Sequence, residues 1–217
     1  MRVCLLDSGI GVVPFIKEII KNDKRNDYII YMDSNYFPYG DKSSLEMQEH
    51  IKCIINDLEI MKIDVLLICC NTLSFYFLTC NVSTSFKIKT ILEINRKSSN
   101  PILTTSLLSK EIGTIDGENL AYLIENNMIR EIIHLIKRIG RDNLVMGCTH
   151  YSLIKRIFEF YFKNIESNEY ELIKDLPSTK SKSIFYGNKD TIKKINVFFP
   201  NLVIKEMNNL SNHIIFN

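Results

Sequence analysis

Short, continuous apolar strands that alternate with amphipathic helices predict an α/β fold built on parallel sheets buried on both faces. Arg2-Val3-Cys4-Leu5-Leu6, Tyr28-Ile29-Ile30-Tyr31-Met32 and the run Asp64 to Cys69 are such strands. A second observation sharpens the reading. The turns after Leu6, Cys69 and Gly147 each follow the carboxyl end of a predicted strand and each opens a helix. In open α/β sheets that is where ligands bind, and helix N-termini there offer free N–H groups to an anion.

The chain has 217 residues, 46 % hydrophobic and 24 % charged, with 12 Phe, 10 Tyr and a formal net charge of +2. That balance excludes a disordered chain, and 27 basic against 25 acidic residues leave no nucleic-acid footprint. The longest apolar run, Val65 to Cys70, is far short of a membrane span. Asp7 arrives too early for the apolar core of a signal peptide, so the chain reads as cytoplasmic and its six cysteines as thiols.

The elements follow in order. Asp7-Ser8-Gly9-Ile10-Gly11 stops the first strand, and Val13, Ile16, Ile19 and Ile20 recur at helical spacing. The second strand ends at Asp33-Ser34-Asn35, before Pro38-Tyr39-Gly40-Asp41. A long helix should run from Ser43 to Met61, with Ser43 and Glu46 spaced as a capping box. The third strand stops at Cys70-Asn71-Thr72, where another helix begins. Short strands are expected at Thr90–Glu93 and Ile102–Thr104, and a helix over most of Glu118–Arg138. A strand, Asn143–Gly147, ends at Cys148-Thr149-His150-Tyr151, before a helix from Ser152 to about Lys163. The polar stretch 164–182 reads as a loop, and the tail as strand 183–186, helix 189–198 and strand 202–207.

Cys70 and Cys148 are strand-ending thiols at helix starts, a setting that can turn a thiol into a base near neutral pH. Singly, each is also what an ordinary buried cysteine looks like. Cys4, Cys53, Cys69 and Cys80 lack this context, and adjacent Cys69 and Cys70 point to opposite sides of a strand, so no zinc site is implied. Asp7 could orient a catalytic group or simply close an Asx turn. His150 could serve a neighbouring thiol as acid or base. His50, His134 and His213 are expected at the surface. Neither a dinucleotide nor a P-loop glycine pattern occurs.

Four motifs in order, Asp7-Ser8-Gly9-Ile10-Gly11, Pro38-Tyr39-Gly40, Cys70-Asn71-Thr72 and Gly147-Cys148-Thr149-His150-Tyr151, resemble those of the glutamate racemase family, within the aspartate/glutamate racemase superfamily. Weaker matches are Thr104, Leu123-Ile124-Glu125 and Phe185-Tyr186-Gly187-Asn188. The likeness spans nearly the whole chain. It implies two α/β lobes, pseudo-twofold related across a cleft, one formed by residues 1–95 plus 172–217 and the other by 96–171. It also implies a cofactor-independent isomerase in which Cys70 and Cys148 act as two bases on opposite faces of the amino acid. By the same resemblance Asp7 assists Cys70 and His150 assists Cys148. Ser8, Asn71, Thr72, Thr104 and Thr149 would hold the substrate, and Pro38, Tyr39 and Gly40 would line the site. No metal is implied, the partner is a small amino acid, glutamate, and the assembly is a homodimer.

The chain departs from the family pattern at several points. Val12 stands where a second glycine is expected, and Ser106 and Leu107 replace Gly and Thr of a T-x-G-T segment. The interval from Thr104 to Cys148 is short, as if a strand and part of a helix were missing, and the segment after Lys163 is abbreviated around Lys174-Asp175-Leu176. These departures keep two other readings open: an aspartate or broad-specificity racemase, and a degenerate racemase-like binding protein.

Overall fold

A computed structural model describes residues 1–80, 82–140 and 143–207; His213 and the rest of the tail lie outside the described residues. The chain is an α/β protein with two wholly parallel sheets. The first is founded on β1 (Arg2–Asp7), whose residues 3–7 are all buried, and β2 (Asp27–Met32), joined by α1 (Val13–Lys21). After α2 (Ser44–Ile60), β3 (Val65–Ile68) pairs with the other edge of β1, Val3 lying level with Val65. Then come α3 (Asn71–Thr79), β4 (Lys87–Thr90) and α4 (Ile91–Asn95). Ser43 caps α2 as its spacing predicted: Glu46 N–H donates to the Ser43 hydroxyl, and the Glu46 carboxylate accepts from Ser43 N–H.

The second sheet carries β5 (Ile102–Thr104), α5 (Ser106–Ile112), β6 (Ile115–Asp116), α6 (Leu120–Glu125), α7 (Ile129–Ile139) and β7 (Asn143–Met146). It continues through α8 (Thr149–Leu153), α9 (Lys155–Tyr161) and β8 (Asn164–Glu166). The chain then returns through α10 (Glu169–Ile173) to the first sheet, adding β9 (Ile184–Gly187), α11 (Lys189–Phe198) and β10 (Ile204–Glu206). Strand order is β10-β9-β2-β1-β3-β4 in one sheet and β6-β5-β7-β8 in the other. Chain direction therefore switches sides beside β1 in the first sheet and beside β5 in the second. Among the described residues no helix is long and apolar enough to cross a membrane.

Several expectations are corrected. The strand expected at Thr90–Glu93 lies earlier, at Lys87–Thr90, because Thr90 already caps α4 by accepting from Glu93 N–H. The helix expected over Glu118–Arg138 is two helices, broken at Asn126-Asn127-Met128, where Asn127 has φ 55°. The helix expected from Ser152 begins at Thr149 and breaks at Ile154. Stretch 164–182 is not a simple loop, since it holds β8 and α10; α10 seats Leu172 and Ile173 in the first sheet's core. Val12 is fully buried in that same core against α1, which is how the chain accommodates a side chain at that position.

Gly147 follows β7 at a point where no side chain fits: a Cβ there would lie 2.4 Å from Ile102 Cγ2 and 2.6 Å from the Leu103 carbonyl oxygen. Because one of these neighbours is backbone, Gly147→Ala should cost about 1–3 kcal/mol in urea unfolding.

Candidate functional site

The ends of β1, β3 and β7 meet at one cavity of about 370 Å³. From the first sheet's side it is lined by Ser8, Phe37, Pro38, Tyr39, Cys70 and Thr72. Thr105, Ser106, Leu107, Cys148 and His150 face it from the second, with Glu118, Asn119 and Tyr122 towards the start of α6. Both thiols are buried and both line this cavity, one from each side.

Their surroundings differ. Ser8 Oγ donates to Cys70 Sγ at 3.8 Å. Burial, and then the charge of Asp7, push the Cys70 thiol far above its ordinary range, so it rests protonated. Cys148 Sγ lies 3.9 Å from His150 Nδ1, and His150 Nε2 is 2.8 Å from Glu125 Oε2. Burial alone would lower the His150 pKa, but the bonds to Cys148 and Glu125 raise it to about 10. The ring therefore carries its proton at neutral pH, beside one sulfur and not the other.

The remaining predicted residues divide. Asp7, Asn71, Thr104 and Thr149 do not line the cavity but are buried behind it. Asp7 accepts from Gly9 N–H and from the Thr149 hydroxyl, both at 3.0 Å, and so reaches Cys70 through space, not through a bond. Burial, opposed by His150, Gly9 and Thr149, raises its pKa to about 6. Thr104 is tied to the Thr114 hydroxyl and the Thr105 carbonyl; its neighbour Thr105 supplies the cavity hydroxyl, 3.2 Å from Thr72 Oγ1 across the two sheets. Gly40 lies in the helical turn Tyr39–Asp41, whose other two residues line the cavity.

Sequence reasoning missed one cluster under this loop. His50, expected at the surface, is buried; its Nε2 meets Asp33 Oδ2, which also accepts from the Tyr39 hydroxyl at 2.7 Å. Tyr36 stacks on the His50 ring with centroids 3.8 Å apart. The signal was available in the periodicity, since Met47, His50, Ile51 and Ile54 share the buried face of α2. His134 is exposed, as expected.

With this geometry in hand, comparison with known proteins is decisive. No family model matches the chain. A glutamate racemase from Aliarcobacter butzleri is 32 % identical over 192 residues, covering 72 % of this chain and 74 % of that protein. The chain belongs to the glutamate racemase family. A glutamate racemase from Leptospira interrogans is 25 % identical over 225 residues, covering 90 % of this chain and 81 % of the relative. The crystal structure of a glutamate racemase from Campylobacter jejuni superposes with a TM-score of 0.72 at 20 % identity, over 94 % of this chain and all of that one. The glutamate racemase fold is thus present together with a cavity holding two thiols.

The His150–Glu125 pair has a consequence for stability. The imidazole pKa rises from 6.5 to about 10 on folding. A raised value favours the folded state fully below pH 6.5, and the gain is lost as pH climbs towards 10. Glu125→Gln removes the charge-assisted bond, so wild type should exceed the variant by about 1.5–3 kcal/mol near pH 6.5. Urea titrations at pH 6.5, 8 and 10 should show that gap closing.

Proposed function

We propose that the protein is a cofactor-independent glutamate racemase, interconverting L- and D-glutamate by proton transfer between two thiols and the α-carbon. The observation that carries the reading is the shared cavity of Cys70 and Cys148, one sulfur from each sheet. In one direction the Cys148 thiolate takes the α-proton, breaking C–H as S–H forms. The Cys70 thiol then gives its proton to the opposite face of the carbanion, leaving a thiolate at Cys70. The reverse reaction exchanges these roles.

The chain supplies each step with a partner. Charge on Cys148 is met by the imidazolium of His150 at 3.9 Å, and charge on Cys70 by the Ser8 hydroxyl at 3.8 Å. Glu125 holds the far side of the imidazolium and keeps it protonated. Thr72, Thr105 and the N-terminus of α3 present hydroxyl and N–H donors to the substrate carboxylates. Around the two sulfurs the buried residues Ser8, Tyr39, Thr72 and His150 limit the water that would otherwise reprotonate the carbanion at random.

We further propose that residues 1–95 with 172–217 form one lobe and 96–171 the other. The protein would act in the cytoplasm as a homodimer, supplying D-glutamate for peptidoglycan.

Cys70→Ser and Cys148→Ser should each lower racemisation by about 10²–10⁴, the range for loss of a positioned acid or base. Circular dichroism should remain unchanged. Proton NMR in heavy water, following loss of the glutamate α-proton, reads the effect directly. Wild-type activity retained in either variant would remove that thiol from the mechanism.

A further inference from the structure

Behind the cavity runs a line of three side-chain amides with one fixed direction. It starts at Glu166 on β8, whose Oε2 accepts from Ser98 Oγ at 2.7 Å and from Asn100 Nδ2 at 3.3 Å. Burial pulls the Glu166 pKa upward, but the bonds from Ser98, Asn168 and Asn100 outweigh it and leave the group below its usual range. It is therefore a carboxylate, which only accepts hydrogen bonds. The Asn168 atom 3.2 Å from Glu166 Oε1 must then be its nitrogen, and that same Nδ2 also donates to Asn95 Oδ1 at 3.0 Å.

Each amide now dictates the next. With its oxygen facing Asn168, fully buried Asn95 turns its nitrogen towards Asn71 and donates to Asn71 Oδ1 at 2.9 Å. Asn71 is left with Nδ2 on the side away from its bond to Asn95, behind the cavity wall that its neighbours Cys70 and Thr72 line. That nitrogen is buried and has no partner, on a side chain between the cavity-lining residues Cys70 and Thr72. A buried donor without an acceptor is costly, which marks it as one to be satisfied by something that binds there. We infer that Asn95, oriented by Asn168 and Glu166, is a positioning residue that fixes the Asn71 amide as a hydrogen-bond donor towards an anionic group bound beside Cys70. The inference rests on the racemase reading only in naming that group as a glutamate carboxylate.

Two substitutions invert the line. Asn95→Asp keeps the bond from Asn168 but can only accept from Asn71, which turns the Asn71 oxygen towards the ligand. Asn168→Asp does the same from a half-buried position, sharing one proton with Glu166 at 3.2 Å and accepting from the Asn95 nitrogen, and guards against a core variant that fails to fold. Both should raise KM for L-glutamate about tenfold or more, the effect of one lost charge-assisted hydrogen bond, with kcat nearly unchanged. In an Asn71→Ala background neither should raise KM further. A fall in kcat and melting temperature at unchanged KM, or an undiminished effect in that background, would overturn the inference. The amide is also read without turnover. In isotope-labelled protein both substitutions should shift the Asn71 side-chain NH₂ resonances. Unmoved resonances overturn the inference even in an active enzyme. Moved resonances in a protein that leaves glutamate unracemised uphold the amide line and sink the racemase reading instead.

Discussion

The buried carboxylate of Asp7 is the constraint on which the rest of the site depends. It ends the central strand of the first sheet, yet it accepts from Thr149 at the start of α8, which follows β7 in the second sheet. That bond registers the two sheets against each other at the level of both thiols. It is possible only because Gly11 has no side chain: a Cβ there would lie 2.2 Å from Thr149 Oγ1 and 2.8 Å from Asp7 Oδ1. A carboxylate so deeply buried is expensive unless satisfied, and it is satisfied by a backbone N–H and a hydroxyl from opposite sides of the interface. The sequence motif at residues 7–11 is therefore a junction that locks one sheet to the other.

Around that anchor the two thiols occupy unequal settings. Cys70 has a neutral hydroxyl nearby and the negative field of Asp7 behind it, and both burial and that field favour the protonated sulfur. Cys148 has an imidazolium held in place by a carboxylate. The electrostatics thus favour a proton on Cys70 and set an imidazolium beside Cys148 and not beside Cys70.

Much of this was legible in the sequence, for reasons that can be located. The first sheet's central strands are apolar without interruption because both their faces are covered, and burial of that kind is written in composition. The capping box at Ser43 and the strand-ending cysteines were equally plain. The second sheet was harder. β6 has two residues and β8 reads Asn-Ile-Glu, too short and polar to carry a period, and both lie at sheet edges. Helix breaks at Asn127 and Ile154 depend on backbone conformation that apolar spacing does not encode. Within the site, the choice of Thr105 over Thr104 as the cavity hydroxyl turns on where the strand stops: Thr104 is the last residue of β5 and Thr105 is the N-cap residue of α5. The partnership of Asn95 with Asn71 joins side chains 24 positions apart and has no local signature at all.

The matching strand orders, β2-β1-β3-β4 within one sheet and β6-β5-β7-β8 in the other, bear on kinetics. Cys70 follows β3 and Cys148 follows β7, equivalent places in two copies of one winding, so exchanging the two sheets would also exchange the two cysteines. Enantiomers have equal free energies in water, so under the proposed reaction the overall equilibrium constant is one. The Haldane relation then forces kcat/KM to be identical for the two directions, whatever the sulfurs' surroundings. The imbalance between a hydroxyl on one side and an imidazolium on the other can surface only as a compensated pair, in which the enantiomer that turns over faster also has the proportionately higher KM.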